Sequence, residues 1–482
     1  MRTKQVILID PKTVNRYCHI ASGGWDRLFS FLLQKGLDRR FGLPSNARCT
    51  VVPPITLCSL EALFSRRCDV ALVDEQVSPI DFGAEADLVG VTATTPQVLR
   101  AYEISRRFRA RGIHTAIGGV HATCLPDEAA MHFDTVCVGE AEGYIEELLD
   151  DLNRGAVKRR YVNRTPVAMA DVPFYRYPIA SGRYLPFHVI SFSRGCPFRC
   201  EYCSIRASQG GFRTREVGQV VAQIQAVGSK NLIFPDATLT ADPEKARELF
   251  RALVPLKVRW FGQITLNVAR DQGMLDLMAD SGCWFVGVGF ESLNQSNMRA
   301  ARKTQNRVED YAALIEALHH HNIAVEGDFL FGLDGDSEDV FDATVRFVLE
   351  TGIDLPEFYM LTPYPDTELY HRLRAEGRIV DENWSHYDNT HFYYLPVFQP
   401  KQMSREALRD GCRRAESSVY SVPGTLRRMA KSRVVHPPVL IANYIYAARL
   451  RRRGDLIPVG DDYPGQEAGA SSAEPGAGAY PC

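Results

Sequence analysis

Strand and helix signals alternate along the first 152 residues of the 482-residue chain. Helix-like segments such as 96–111 and 141–152 separate short apolar runs, which are typical of buried strands. These runs are Val6–Ile9, Val70–Val73, Leu88–Val91, Thr115–Ile117 and Thr135–Val138. Such alternation is characteristic of α/β folds built on a parallel sheet. It predicts a doubly wound, Rossmann-like domain over residues 1–152, which would bind ligands at the carboxyl ends of its strands.

The alternation stops over residues 153–187, where Pro, Arg and Lys occur without periodicity, and this stretch is predicted to be a linker. Beyond it, strand and helix signals recur up to about residue 363. The clearest strand signals are at 188–192, 231–234, 284–290, 325–331 and 357–361. Five or six βα units predict a full or partial (β/α) TIM-type barrel over residues 188–395, with its chemistry at the carboxyl ends of the strands.

The remaining segments differ in composition from both α/β blocks. Residues 396–455 carry helix signals without strands, which predicts a helical C-terminal region. Gly, Ala, Ser and Pro dominate residues 456–482, which are therefore predicted to be a disordered tail.

Composition excludes several classes of protein. Hydrophobic residues make up 45% of the chain and charged residues 24%, which is ordinary for a globular protein. The net charge of −2 provides no global attraction to nucleic acid. The sequence contains neither an apolar stretch of transmembrane length nor the apolar core of a signal peptide. We therefore expect a cytoplasmic protein that does not bind nucleic acid.

Three of the 12 cysteines follow the first strand of the second block with the spacing C-x3-C-x2-C. Cys196, Cys200 and Cys203 can hold three irons of a cubane cluster and leave the fourth iron open. A structural zinc site needs a fourth protein ligand, and the next cysteine is Cys283. Zinc binding and three unrelated buried thiols are the minor alternatives.

The cysteine spacing, with the aromatic Tyr202 before the last cysteine, resembles the radical S-adenosylmethionine (SAM) superfamily. The resemblance implies that Cys196, Cys200 and Cys203 hold a [4Fe-4S] cluster whose open iron binds SAM, and that SAM is cleaved to a 5′-deoxyadenosyl radical. It also implies that Tyr202 packs near the adenine and that residues at successive strand ends contact SAM. These strand-end residues are Asp236, Thr265, Asn267, Glu291 and Ser292.

Some of these contacts have a structural alternative. Asn267 is also a typical helix cap, and Asp236 is followed by Ala237, where related proteins often carry a second acidic residue. Glu291 is the stronger candidate, because a carboxylate beside Gly289 at a strand end is a poor choice for packing alone.

The N-terminal block resembles the cobalamin-binding subgroup of the same superfamily, on the segments 87–96, 118–123 and 138–140. The resemblance implies a corrin pocket in which paired glycines admit the nucleotide tail. Its candidate contacts are Thr92, Thr94, Gly118, Gly119, His121, Gly139 and Glu140. A lone loop histidine is more often a hydrogen-bonding residue than a cobalt ligand. The D-x-H-x-x-G signature of classical cobalamin proteins is absent, as in many members of the radical subgroup, and a domain that keeps the fold without cobalamin is the alternative.

The segment from Ser417 to Gly454 contains no acidic residue and has eight basic ones. The basic residues are Arg427, Arg428, Lys431, Arg433, Arg449, Arg451, Arg452 and Arg453. They flank the apolar run 437–448, which is too short to span a bilayer. The favoured interpretation is a helix that docks on the barrel. The alternative is a peripheral contact with the inner face of the membrane through residues 427–453.

The resemblance implies a cobalamin-dependent radical SAM enzyme, and the leading hypothesis is a methyltransferase acting at an unactivated carbon of a lipid or other natural product. Its expected partners are a small-molecule or lipid-like substrate and an external electron donor of the flavodoxin or ferredoxin type. The main alternative is a radical rearrangement, ring contraction or cyclisation without methyl transfer. A non-catalytic corrinoid or cluster-binding sensor is the third hypothesis.

Overall fold

A computed structural model describes residues 3–12, 54–175, 184, 187–388 and 395–452. Its N-terminal part is an α/β unit on a parallel sheet with the strand order β2-β1-β3-β4-β5-β6 among these residues. The strands are β1 (Lys4–Asp10), β2 (Cys68–Asp74), β3 (Leu88–Thr92), β4 (Thr115–Gly118), β5 (Thr135–Val138) and β6 (Arg160–Val162). All five predicted apolar runs form strands, so the predicted Rossmann-like fold class is confirmed.

Helices cover both faces of this sheet. They are α1 (Ile55–Phe64), α2 (Val98–Arg109), α3 (Val120–Cys124), α4 (Pro126–His132) and α5 (Ile145–Arg154). Successive residues of β1 point to opposite faces, so that Val6 and Leu8 join the core under α1 and α5 and Ile7 and Ile9 join the core under α2. Burial on both faces explains why the strand is an uninterrupted apolar run.

The sixth strand lies inside the segment that the sequence assigns to a linker. β6 pairs with β5 in parallel, from Val136–Arg160 to Val138–Val162. The strand is only three residues long and two of them are exposed, so it carries no run of apolar residues to mark it. Within the predicted linker, residues 176–183 and 185–186 lie outside the described part of the chain, and the predicted tail 456–482 also lies outside it.

The second part is a partial barrel with the strand order β14-β13-β12-β11-β10-β7. Its strands are β7 (His188–Val189), β10 (Asn231–Phe234), β11 (Arg259–Ile264), β12 (Cys283–Glu291), β13 (Ala324–Phe331) and β14 (Leu355–Met360). Neighbouring strands of this sheet pair in parallel. The predicted strand at 188–192 is shorter than expected, because the chain turns after Val189 and enters a separate two-stranded ribbon of β8 (Ser193–Arg194) and β9 (Arg213–Thr214).

Helices alternate with the barrel strands and cover the outside. They are α6 (Ile205–Gln209), α7 (Val217–Val227), α8 (Pro243–Leu253), α9 (Gln272–Asp280), α10 (Gln295–Ala300), α11 (Tyr311–His320), α12 (Asp339–Thr351) and α13 (Glu368–Ala375). The fully buried Trp260 of β11 packs between Phe234 and Phe250, at centroid distances of 6.0 and 4.9 Å. This packing joins the strand layer to the helix layer.

Three further helices, α14 (Arg405–Val419), α15 (Val422–Ser432) and α16 (Pro437–Arg452), dock on the barrel edge at β14. Arg428 of α15 is 1% exposed. Its guanidinium donates to the carbonyl oxygens of Ile353 and Asp354 at 3.0 and 2.8 Å, and to Asn443 Oδ1 of α16 at 2.7 Å. The guanidinium also reaches the Val419 carbonyl oxygen at 3.2 Å.

This docking corrects the membrane alternative for Arg428, which lies inside the protein and cannot reach lipid headgroups. The predicted docked helix is found instead, and Tyr446 of α16 donates to Glu357 Oε1 on β14 at 2.6 Å. Arg453 and the side chains of Arg449, Arg451 and Arg452 lie outside what the structure describes. Among the described residues, no helix combines the length and the apolar character needed to cross a membrane.

Replacing Arg428 by Met should destabilise the barrel, because the buried acceptors at Ile353, Asp354, Val419 and Asn443 would lose their donor. We expect a loss of roughly 3 kcal/mol in the free energy of unfolding. The matched control is Arg427→Met, which changes an exposed neighbour on the same helix and should cost less than about 0.5 kcal/mol. Urea unfolding followed by tryptophan fluorescence measures both variants, and equal midpoints for them would contradict the buried role of Arg428.

Candidate active site

The three motif cysteines lie on one loop between β8 and α6. All three are free and partly buried, and they line a common cavity of about 190 Å³ at the carboxyl edge of the barrel sheet. We call it the cysteine cavity. Burial raises the pKa of the Cys200 thiol and raises that of Cys203 to about 11. Desolvated thiols of this kind release their protons when a metal cation compensates the charge, so the donor set fits an iron cluster.

The opposite wall of the cysteine cavity is built from the ends of β10, β11, β12 and β13 and from the segment that follows α10. It brings together Ala237, Thr238, Gln263, Thr265, Glu291, Lys303, Gln305, Asn306 and Asp328. Tyr202, Thr265 and Glu291 are predicted SAM contacts that line this cavity. Gln305 donates to Cys200 Sγ at 3.8 Å, and its Oε1 has no hydrogen-bond partner among the described residues.

Glu291 and Lys303 form a partly buried ion pair in this wall, with side-chain exposures of 14% and 12%. Glu291 ends β12 with a positive φ of 66°, a conformation that is uncommon outside glycine and that marks functional sites. Burial lowers the pKa of the Lys303 ammonium, but Glu291 and Cys200 outweigh this effect and raise it. A fixed ammonium and a fixed carboxylate beside three thiols match the carboxylate and amino groups of SAM.

Three other predicted SAM contacts do not line the cysteine cavity. Asp236 is 3% exposed and accepts from the backbone N–H groups of Phe192 and Ser193 and from Ser193 Oγ. Its carboxylate therefore holds the start of the cysteine loop. Ser292 is buried and its Oγ accepts from the Asn294 N–H at 3.1 Å. Asn267 lies in a short 3-10 turn, and its Oδ1 accepts from Thr265 Oγ1.

Sequence reasoning missed a cluster of three carboxylates inside the barrel. Glu326 and Asp328 on β13 and Glu357 on β14 have carboxylate oxygens within 4.8 Å of one another. Tyr359 donates to Glu357 Oε2 at 2.5 Å. Burial and the neighbouring Glu357 raise the pKa values of Glu326 and Asp328 well above the ordinary range. The available signal was two acidic residues at alternate positions of an otherwise apolar strand.

A second cavity, of about 320 Å³, lies at the carboxyl edge of the N-terminal sheet. We call it the sheet-edge cavity. The ends of β3, β4 and β5 form its floor, α1 forms one wall, and β8 and α6, which flank the cysteine loop, contribute the other. Its lining includes Ser59, Leu60, Thr92, Gly118, Gly119, Gly139, Glu140, Glu142, Arg194 and Gln209. Five predicted corrin contacts are in this set, whereas the contributions of α1 and Arg194 were not predicted.

Two of these glycines are required by the backbone itself. Gly119 has φ +95°, and a Cβ there would lie 2.7 Å from the Ala93 carbonyl oxygen. Gly139 has φ +82°, and a Cβ there would lie 2.0 Å from the Asn163 carbonyl oxygen. The backbone at Gly119 and Gly139 therefore packs closely against neighbouring loops at the floor of the cavity. Because neither residue has a side chain, a ligand can also approach the backbone there.

Thr94 and His121 do not line the sheet-edge cavity. Thr94 begins a turn, and its side chain and backbone form a capping box with Gln97. His121 is fully buried, its Nδ1 lies 3.3 Å from Thr95 Oγ1, and its ring packs edge-on against Trp384. The structure thus gives His121 the role of a packed, hydrogen-bonded histidine, which the sequence analysis favours over cobalt ligation.

Glu140 joins the two parts of the chain. Its carboxylate accepts from the Val167 N–H at 2.7 Å, from Arg194 Nη1 at 3.2 Å and from Arg213 Nη2. Glu142 accepts from the same Arg194 at 2.8 Å. The sequence marks Glu140 as a candidate ligand contact. It carries no signal for the pairing with Arg194 and Arg213, which lie more than 50 residues away.

Comparisons with known proteins agree with this geometry. The family model of the radical SAM superfamily matches residues 190–348, and that of the B12 binding domain matches residues 48–149. Bacteriochlorophyllide d C-12(1)-methyltransferase from Chlorobaculum tepidum is 33% identical over 391 residues, which cover 78% of this chain and 84% of the relative. Hopanoid C-2 methylase from Rhodopseudomonas palustris is 25% identical, with coverages of 83% and 81%.

A solved structure shares the fold. It is a radical SAM methyltransferase from Kitasatospora setae with cobalamin and a [4Fe-4S] cluster bound, at a TM-score of 0.59 and 17% identity. The superposition covers 78% of this chain and 75% of that chain.

The two matched domains occur in the predicted order, and the methyltransferase relatives span most of the chain. The predicted cofactors, a [4Fe-4S] cluster, SAM and cobalamin, are those of the matched families. The chain therefore belongs to the cobalamin-dependent radical SAM methyltransferases.

Proposed function

We propose that this enzyme transfers a methyl group to an unactivated carbon of a lipid or other natural product. The observation that carries the proposal is the arrangement of the two cavities on either side of one loop. Cys196, Cys200 and Cys203 face the cysteine cavity, while Arg194 and Gln209, at the two ends of the same segment, face the sheet-edge cavity. A substrate between two such sites can meet both cofactors.

When bound, the cofactors would supply the difficult chemistry, which is radical formation by the iron–sulfur cluster with SAM and methyl donation by cobalamin. The protein's part is to bind, orient and exclude water. Cys196, Cys200 and Cys203 hold the iron, and the Lys303 and Glu291 pair orients the charged end of SAM. Tyr202 packs beside the nucleoside, and Gly118 and Gly119 admit the corrin.

For the substrate, we propose a chlorophyllide-like tetrapyrrole as the first candidate. The support is the relative named for bacteriochlorophyllide d, which is 33% identical and covered over 84% of its length. A hopanoid-type lipid is the second candidate, supported by the hopanoid methylase relative. Incubation with methyl-labelled SAM and each substrate class distinguishes the two candidates, because only the true substrate acquires the label. A substrate that is modified without acquiring the label would favour the rearrangement alternative.

We further propose that an external flavodoxin- or ferredoxin-type protein supplies the electron, in the cytoplasm. The support is the exposure of Arg199 and Arg206 on and beside the cysteine loop, since acidic electron carriers are attracted by such cations. A non-catalytic sensor is disfavoured by the complete set of three thiols and the ion pair that faces them.

Replacing Cys203 by Ala should abolish formation of 5′-deoxyadenosine, because three thiolates are needed to leave a single iron open for SAM. The matched control is Cys124→Ala, a partly buried free cysteine of the N-terminal domain that lines neither cavity and should retain activity. Iron content and deoxyadenosine are measured after anaerobic reconstitution. Deoxyadenosine formation by the Cys203 variant would refute the cluster assignment.

Replacing Ser59 by Trp should fill the sheet-edge cavity and lower cobalt content at least about tenfold, while about four irons per chain are retained. Ser59 is a better choice than Gly119, because any side chain at Gly119 would distort its own loop. The control is Glu61→Trp on the same helix, which does not line the cavity. If the Ser59 variant takes up cobalamin like the unmodified protein, the corrin does not bind in this cavity.

A further inference from the structure

The cysteine loop is held to the N-terminal domain by a cluster of charged side chains. Glu140 and Glu142 follow β5 of the N-terminal sheet, while Arg194 and Arg213 lie directly opposite each other on β8 and β9 of the ribbon. We call these four residues the interdomain charge cluster. Arg194 is two residues before Cys196, so the interdomain charge cluster lies at the start of the loop that carries the motif cysteines.

The charge cluster is partly shielded from water. The side-chain exposures are 11% for Glu140, 6% for Glu142, 20% for Arg194 and 17% for Arg213. Charge-assisted hydrogen bonds in such surroundings are stronger than those between exposed ions. They also fix direction, because a guanidinium donates in a plane.

Glu140 is the central member. Two guanidinium groups that face each other across a ribbon repel one another, and Glu140 binds both of them. Arg213 in turn donates to the carbonyl oxygens of Val167 at 2.7 Å and Gln209 at 2.8 Å. Gln209, at the end of α6, accepts through its Oε1 from the Gly195 N–H at 3.1 Å, which links the interdomain charge cluster to the first residue of the cysteine loop.

Three members of the interdomain charge cluster, Glu140, Glu142 and Arg194, also line the sheet-edge cavity, together with Gln209. The segment between Arg194 and Gln209, which comprises the cysteine loop and α6, carries the cysteines that line the cysteine cavity. A ligand in the sheet-edge cavity therefore contacts the groups that set the position of the cysteine loop.

We propose that Glu140 is a positioning residue that holds the cysteine loop in register with the corrin site through Arg194 and Arg213. This proposal rests on the proposed function, since it requires an iron–sulfur cluster in the cysteine cavity and a corrin in the sheet-edge cavity. Loss of the Glu140 charge leaves two partly buried guanidinium groups without their shared partner. The ribbon would then separate from the N-terminal domain, and the position of the motif cysteines would no longer depend on whether a corrin is bound.

The test uses Glu140→Gln in the full chain, reconstituted anaerobically with iron, sulfide and hydroxocobalamin. Hydrogen exchange of residues 193–214 should become at least about tenfold faster than in the unmodified protein, with iron content retained. The electron paramagnetic resonance spectrum of the reduced cluster should change on cobalamin loading in the unmodified protein and should not change in the variant. If the role of Glu140 were purely structural, the Glu140→Gln variant would bind less metal, but the spectrum of its iron–sulfur cluster would still change on cobalamin loading.

Two further variants keep the test decisive. Glu142→Gln removes only one of the partners of Arg194, so we expect a smaller increase in the hydrogen-exchange rate of residues 193–214. This variant keeps the proposal testable if the Glu140 variant does not fold. Asp127→Asn breaks the exposed pair between Asp127 and Arg160 in the same domain and should behave like the unmodified protein.

The outcomes separate this proposal from the proposed function. An unmodified protein that retains no iron or no cobalt refutes the proposed function. An unmodified protein that retains both, together with a Glu140 variant whose exchange and spectrum are unchanged, refutes the positioning role alone.

Discussion

The buried carboxylate of Asp236 fixes the path by which the chain leaves the first barrel strand. It accepts from the N–H groups of Phe192 and Ser193, which would otherwise be buried without partners. Burial raises its pKa to about 6, although the hydrogen bonds from Ser193 and Phe192 act in the opposite direction. This interaction ends β7 and starts the ribbon, and therefore determines where Cys196 and the rest of the loop lie relative to the sheet.

The sequence predicts elements whose causes are local. Buried strands such as β1 contain a continuous apolar run, and the cysteine motif is readable because its ligands lie within eight residues. The roles of Asp236 and Arg428 are different, since each is decided by backbone groups that are distant in the sequence. The strand β6 was missed for a related reason: its place depends on pairing with β5 rather than on its own three residues.

The candidate site likewise combines features that the local sequence predicts with features that depend on distant contacts. Thr265 and Glu291 are the two strand-end candidates that line the cysteine cavity. Ser292 follows Glu291 directly, yet its side chain is buried and its Oγ accepts from the N–H of Asn294, the residue that caps α10. Identifying which strand-end residues face a cavity thus requires the register, which a motif alone does not provide.

The docking of the C-terminal helices bears on the order in which the chain folds during synthesis. The N-terminal sheet is complete once β6 has emerged, at residue 162. The edge of the barrel at Asp354 must wait for Ser432 and Asn443, which bind its side chain and its carbonyl oxygen. About 280 residues of translation separate these two events, so the N-terminal domain can fold early, while the barrel stays open at β14 until α16 has been made.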